Sequence, residues 1–296
     1  MRTILVTGSD ETFAPLMFDL LDSLKESRCS IFDSIGVLDV GLSESSLFKL
    51  KTSVSYIVQP DWDMPIDQDQ KKSKPHLRAK LARPFLRKYF PGYQTYIWMD
   101  ADTWIQDKFA LEWFVQASKA SGMALASQND HNYRTEPRTI KWRLGVLNRY
   151  FQDPDVILLM AQQYYNSGVF CLEANAPHWS SWESYMKRAL RTEPKIISDQ
   201  NPLNYAIWKD KLPVHSLPAI CNWCCHMSPP ALGPDGNLHE PFLPHRRIGI
   251  IHLSAWTKRK TIKYIRNGHV FTRSLRFGGL NAPPLERALG GRLPPR

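Results

Sequence analysis

Apolar positions along this chain follow two alternating periods. Thr3–Thr7 is a short β-branched run that predicts a buried strand. Phe13, Leu16, Met17, Leu20, Leu21 and Leu24 then recur at the i, i+3, i+4, i+7 spacing of an amphipathic helix. Ile35–Val40 and Val54–Val58 read as the next two strands, and residues 61–74 as a polar loop. Pro75–Phe90 reads as a basic helix bent at Pro84, because proline removes a helix donor. Thr95–Met99, Met123–Ser127 and Ser167–Leu172 are strand patterns, and Pro137–Tyr165 is helical but irregular. His178–Arg191 and Gln200–Lys209 read as helices, residues 227–247 as a long loop, and Ile248–Leu253 as the strand that closes the sheet. Strands alternating with helices predict an α/β fold with a Rossmann-like, mostly parallel mixed sheet flanked by helices.

The strand over Thr95–Met99 runs straight into Asp100-Ala101-Asp102. Side chains alternate along an extended chain, so the two carboxylates are expected on one side, a seat for a divalent cation. A bare Asp-x-Asp is common on surface loops; the buried strand before it is what raises its interest. A glycosidase pair would instead place its carboxylates about 5–10 Å apart across a sugar.

Four further segments carry polar groups beside strand or helix ends. VTGSDETF, from Val6, is a strand-to-helix loop suited to anions. No glycine follows Gly8 until Gly36, so it lacks the dinucleotide fingerprint. Its ordinary reading is a helix start capped by Thr12. In IIHLSAWTKRK, from Ile250, His252 ends a strand and Lys258 follows six residues later. Imidazole can complete an oxygen-rich metal site, and a lysine can hold phosphate as a point charge. Asn166 opens NSGVF, where small residues let a ligand approach the backbone. Asp199-Gln200 precedes a helix; Asp199 is either its cap or a sugar-hydroxyl partner. The cluster Cys221–His226 (CNWCCH) lacks a second cysteine pair, so core packing is the expectation rather than zinc.

Charge divides the chain. Of the formal net charge of +10, residues 257–296 hold ten Lys/Arg against Glu286 alone, a net +9. The remainder is nearly neutral, which argues against a nucleic-acid binder. A cationic tail fits an anionic surface such as phospholipid, or is a solvated extension. The chain shows no apolar run near the ~18 residues of a membrane span and no leader-like segment, so a cytoplasmic or peripheral location on the inner face of a membrane is expected. Five cysteines, an odd number, predict free thiols.

Taken in order, these motifs resemble glycosyltransferase family 8, the retaining GT-A enzymes of the glycogenin and lipopolysaccharide galactosyl/glucosyltransferase type. The resemblance spans residues 3–260. It implies a GT-A domain over 1–260 followed by a basic tail over 261–296. It implies a donor nucleotide held by Thr7, Ser9, Asp10 and Phe13, with Arg83, or less directly Lys80, as the basic donor-binding residue. It implies metal ligation by Asp100, Asp102 and His252, with Asn166 and Lys258 at the donor and Asp199 and Gln200 at the transferred sugar. Ala255 stands where the family's H-x-x-G-x-x-K has glycine. Asn222 and Trp223 match its Asn-aromatic pair near the acceptor. The implied activity is metal-dependent transfer of a hexosyl group from a nucleoside-diphosphate sugar, UDP-linked, to a glycan or lipid-linked acceptor with retention. A mixed carboxylate/imidazole set favours Mn²⁺ over Mg²⁺. Two rival classes are a sugar-1-phosphate nucleotidyltransferase, whose glycine-rich loop is missing here, and a non-catalytic sugar or anionic-surface binding protein.

Overall fold

The computed structural model describes residues 2–134, 136–266, 269–279 and 285–287. In chain order, β1 (Thr3–Ser9), α1 (Ala14–Glu26), β2 (Ser34–Asp39), α2 (Glu44–Leu50) and β3 (Tyr56–Val58) come first. After α3 (Gln68–Ser73), the stretch read as one bent helix is α4 (Leu77–Ala82), a 3-10 turn over Arg83–Phe85 and α5 (Leu86–Tyr89). Pro84 is the reason for the break, since it cannot donate to a preceding carbonyl. Then follow β4 (Thr95–Met99), β5 (Thr103–Ile105), α6 (Phe109–Ser121) and β6 (Met123–Ser127). α7 (Pro137–Phe151) and a 3-10 segment over Pro154–Ala161 precede β7 (Tyr165–Glu173), α8 (His178–Thr192) and α9 (Gln200–Lys209). β8 (His215–Leu217), β9 (Trp223–Cys224), the hairpin β10 (Ala231–Leu232) with β11 (Leu238–His239), and β12 (Ile250–His252) end the body.

Seven strands form the main sheet in the order β3-β2-β1-β4-β7-β6-β8. β3, β2, β1 and β4 are mutually parallel, β7 runs against both β4 and β6, and β8 lies parallel to β6. The expected mixed, mostly parallel sheet is therefore present. The chain moves outward from β1 to β3 and then returns to the other side of β1 as β4. That reversal opens a crevice beyond the carboxyl ends of β1 and β4, where ligands collect in open α/β sheets.

Period-2 alternation splits the core between the two sheet faces. Leu5, Ile97 and Met99 pack with Met17, Leu20 and Phe114 on one face. Ile4, Val6, Tyr96 and Trp98 pack with Leu86, Trp179 and Trp182 on the other. Burying both faces is why the strands read as unbroken apolar runs.

Three expectations change. Ile248–Leu253 does not close the main sheet: β12 pairs with β5 and β9 in a separate three-stranded sheet. The polar loop over 61–74 holds α3, capped by Asp67, whose Oδ1 accepts from the Gln70 amide at 2.8 Å. The loop over 227–247 holds the β10–β11 hairpin.

Packing also continues past residue 260. β13 (Thr261–Arg266), β14 (His269–Ser274) and β15 (Leu285–Arg287) form an antiparallel sheet. Leu275 just beyond β14 is buried in the core, its carbonyl accepting from Trp104 Nε1 at 2.8 Å. Phe277 lies against Trp104 with ring centroids 5.8 Å apart, and Arg276 pairs with Asp19 at 2.6 Å. Residues 267–268, 280–284 and 288–296 of the expected tail lie outside the described residues. Among those described, no helix is long and apolar enough to cross a membrane.

Candidate active site

A cavity of about 590 Å³ opens at the switch point between β1 and β4. The β1–α1 loop supplies Ser9, Asp10 and Phe13; the β4–β5 turn supplies Asp100 and Asp102. Arg83, Asn166, Asp199, Gln200, His252 and Lys258 complete the set of expected residues that line it, and Lys80 joins them. Thr7 does not line it. It is fully buried within β1, and its hydroxyl has no partner among the described residues. The expected Thr12 cap is likewise replaced: Asp10 Oδ1 accepts from the Phe13 amide at 3.1 Å.

Asp100 and Asp102 converge, though not as alternate residues of an extended strand. The chain turns at Asp100, whose carbonyl accepts from the Thr103 amide at 3.0 Å and the Thr103 hydroxyl at 2.7 Å. Each carboxylate divides its two oxygens. Asp100 Oδ1 accepts from Arg83 and, at 2.8 Å, from Trp98 Nε1, while Oδ2 faces His252 Nε2 at 3.8 Å. Asp102 Oδ2 pairs with Lys258, while Oδ1 faces His252 Nε2 at 3.4 Å. Every carboxylate thus keeps one oxygen for a cation of the protein and points the other at a common space.

That space fits a divalent ion. One donor atom each from Asp100, Asp102 and His252 lies within 4.8 Å of the others. Gly168 makes the approach possible: a Cβ there would sit 2.3 Å from His252 Cε1 and 2.8 Å from both Asp100 Oδ2 and Asn166 Oδ1. The small residues of NSGV therefore let protein side chains close in on one another, and Ser167 and Gly168 also line the cavity.

The electrostatics are strongly coupled. Burial pushes the Asp102 carboxyl up, but His252 and Lys258 beside it hold it well below the usual carboxylate range. Burial disfavours a charged His252, yet Asp102 drives the imidazolium up to about 10. Arg83 is almost fully buried over the Trp98 ring, 4.8 Å from its centroid. It bridges the two carboxylate clusters, with Nη2 on Asp100 and Nη1 on Asp199 at 2.5 Å. Burial opposes ionisation of Asp199, and Arg83 outweighs it, so that carboxyl is held low. Asp199 stands at the start of α9, but its side chain makes no cap bond. Its carboxylate goes to Arg83 and the Ser167 hydroxyl instead, which removes the ordinary explanation for this residue.

Trp98 was not singled out by sequence reasoning, although its signal was present. It lies on β4 two residues before Asp100, and its indole N–H reaches the Asp100 carboxylate. Trp142, Tyr164 and Ser167 also line the cavity. Ala255 has φ +54°, the left-handed region where a glycine is at home. The thiols of Cys221, Cys224 and Cys225 are free and buried, as expected for core packing.

Comparison with known proteins agrees with this geometry. No curated protein matches the chain in sequence. Among solved structures, the galactosyltransferase LgtC, in complex with donor and acceptor sugar analogues, superposes with a TM-score of 0.53 at 14% identity, covering 86% of this chain and 87% of that one. Mouse xyloside xylosyltransferase 1 in its apo form superposes at 0.50 with 14% identity, covering 86% and 98%. At these identities the likeness establishes the GT-A fold. The sequence model of glycosyl transferase family 8 matches residues 21–258. With that match over most of its length, the chain belongs to glycosyl transferase family 8 and is a glycosyltransferase.

Proposed function

We propose that this glycosyltransferase moves a hexosyl group from a nucleoside-diphosphate sugar, UDP-linked, to a hydroxyl of a glycan or lipid-linked acceptor, with retention of configuration. The carrying observation is the convergence of Asp100, Asp102 and His252 within 4.8 Å, in a cavity that also holds Arg83 and Lys258. Two carboxylates and one imidazole suit Mn²⁺ better than Mg²⁺. When bound, the ion offsets charge on the diphosphate as the glycosidic bond breaks.

The chain's own residues do the rest. Ser9, Asp10 and Phe13 in the β1–α1 loop take the nucleoside, with Phe13 offering a ring face to the base. Lys258, which pairs with Asp102 and stands 5.4 Å from the Phe13 ring centroid, takes a phosphate of the donor. Arg83 fixes Asp100 and Asp199 relative to each other, so the diphosphate and sugar pockets share one rigid anchor. Asp199 and Gln200 orient the sugar, and the Gln200 amide dipole stabilises positive charge that develops at the anomeric carbon. The acceptor hydroxyl enters from the leaving-group side, and its proton passes to the departing phosphate oxygen, which becomes more basic as the bond breaks. No protein base is required. The basic C-terminal segment attaches the enzyme to an anionic cytoplasmic leaflet.

A panel of UDP-, GDP- and ADP-hexoses incubated with Mn²⁺ tests the reading. One UDP-hexose should be consumed, and proton NMR of the product should show the donor's anomeric configuration. An inverted product refutes retention, and turnover confined to another nucleotide refutes the UDP assignment.

A further inference from the structure

Six polar side chains form an unbroken line from Arg143 on α7 to the metal-site His252. Arg143 Nη2 donates to Gln128 Oε1 at 2.5 Å, and Gln200 Nε2 donates to the same oxygen at 3.4 Å. Asn166 Nδ2 donates to Gln200 Oε1 at 3.1 Å. Asn222 Nδ2 donates to Asn166 Oδ1 at 2.9 Å. Asn222 Oδ1 lies 3.0 Å from His252 Nδ1.

An amide can be turned over without changing its shape, so groups that can only donate must set the direction of such a line. Three sit along this one. Arg143 has no acceptor atom and fixes Gln128 Oε1. The Ser167 backbone N–H donates to Gln200 Oε1 at 3.2 Å. The Gly168 backbone N–H donates to Asn166 Oδ1 at 2.8 Å. With those oxygens fixed, Asn222 has to turn its Nδ2 to Asn166 and its Oδ1 to His252. His252 Nδ1 must then carry hydrogen, which leaves Nε2 as the nitrogen facing Asp100 and Asp102. Gln128, Asn166, Asn222 and His252 are 4%, 8%, 1% and 4% exposed, too little for bulk water to replace these partners. The Arg143 guanidinium sits over the Tyr164 ring, its Cζ 3.9 Å from the centroid. It has no acidic partner among the described residues, so no carboxylate draws its guanidinium away from Gln128.

We propose that Asn222 is a positioning residue that presents His252 Nε2 to the divalent cation. This rests on the metal reading of Asp100, Asp102 and His252. The predicted variants follow from which half of the amide each one keeps. Alanine removes the acceptor for His252 Nδ1. Aspartate keeps that acceptor but cannot donate to Asn166.

Mn²⁺ titration of donor-free protein by electron paramagnetic resonance tests the proposal. Asn222→Ala should weaken Mn²⁺ binding by about 10- to 100-fold, while Asn222→Asp should stay within about threefold of wild type. Equal losses in the two variants, or an alanine variant within about twofold of wild type, overturn the proposal. A wild-type protein that binds no Mn²⁺ removes the metal reading and the proposal together, so the two failures are distinguishable. A measurement on wild-type protein avoids any folding defect in the variants. A long-range proton–nitrogen spectrum with Mg²⁺ bound should place the His252 proton on Nδ1, and a proton on Nε2 overturns the assignment.

Discussion

Individual residues carry this site through divided loyalties. Asp100 and Asp102 each commit one oxygen to a protein cation and turn the other toward His252. Gln200 is the residue whose removal should touch catalysis and spare the nucleotide. Gln200→Ala should lower kcat by about one to two decades, each worth about 1.4 kcal/mol of transition-state stabilisation, with UDP affinity unchanged by calorimetry. A large loss of UDP affinity would move Gln200 into the nucleotide pocket. Away from the cavity, His178 is fully buried and bonded through Nε2 to the Pro213 carbonyl at 3.0 Å. Burial lowers its imidazolium to about 4. The unfolded chain therefore binds a proton below about 6.5 that the folded protein refuses until about 4. Its stabilising contribution is complete above pH 6.5 and fades as pH falls through that window. Between pH 7 and 5 the loss should be about 2 kcal/mol, absent in His178→Gln, as read by urea unfolding. Ala255 holds a left-handed backbone at φ +54°. Ala255→Gly should relieve part of that strain and raise stability by roughly 0.5–1 kcal/mol in the same assay.

At the scale of elements, legibility followed the range of the interactions. The strand into Asp100 and the helix over Gln200–Lys209 were readable, because their periodicity is local and uninterrupted. α6 shows the same helical spacing at Ala110, Leu111, Phe114, Val115 and Ser118. Of the small sheet of β5, β12 and β9, only the strand ending at His252 was readable; its partners β5 and β9 were not. The sheet's strands are two or three residues long and come from three distant parts of the chain. No periodicity can show in so few residues, yet this sheet sets His252 opposite Thr103 and so beside Asp102. The bridge from Arg83 to both Asp100 and Asp199 is a tertiary contact with no local signal; only the family resemblance pointed to Arg83. Gly168 is the hinge of this arrangement. Gly168→Ala puts a methyl 2.3 Å from His252 Cε1, so it should abolish transfer, with Mn²⁺ affinity falling in parallel. Full activity in that variant would mean that His252 need not approach Asp100.

For the whole molecule, net charge and packing pull the C-terminal segment two ways. It carries +9 of the +10 formal charge, yet Leu275 and Phe277 belong to the packing of the body. A chain ending at Asn267 should therefore lose about 2–3 kcal/mol through Leu275 alone, as read by urea unfolding. The lipid proposal is separate. Full-length protein should sediment with anionic and not neutral vesicles, less so as salt rises, because each basic residue near such a surface contributes about 1 kcal/mol that salt screens. Indifference to anionic vesicles at low salt would end the membrane proposal and leave the transferase standing. The central claim is that transfer depends on an ion held by Asp100, Asp102 and His252. It is tested most directly by measuring UDP release from the preferred donor by wild-type protein and Asp102→Ala, each before and after chelation and Mn²⁺ re-addition. Wild-type activity should vanish on chelation and return with Mn²⁺, while Asp102→Ala stays silent throughout with its fold intact. Full turnover by chelated wild-type protein, or by Asp102→Ala, would contradict the account.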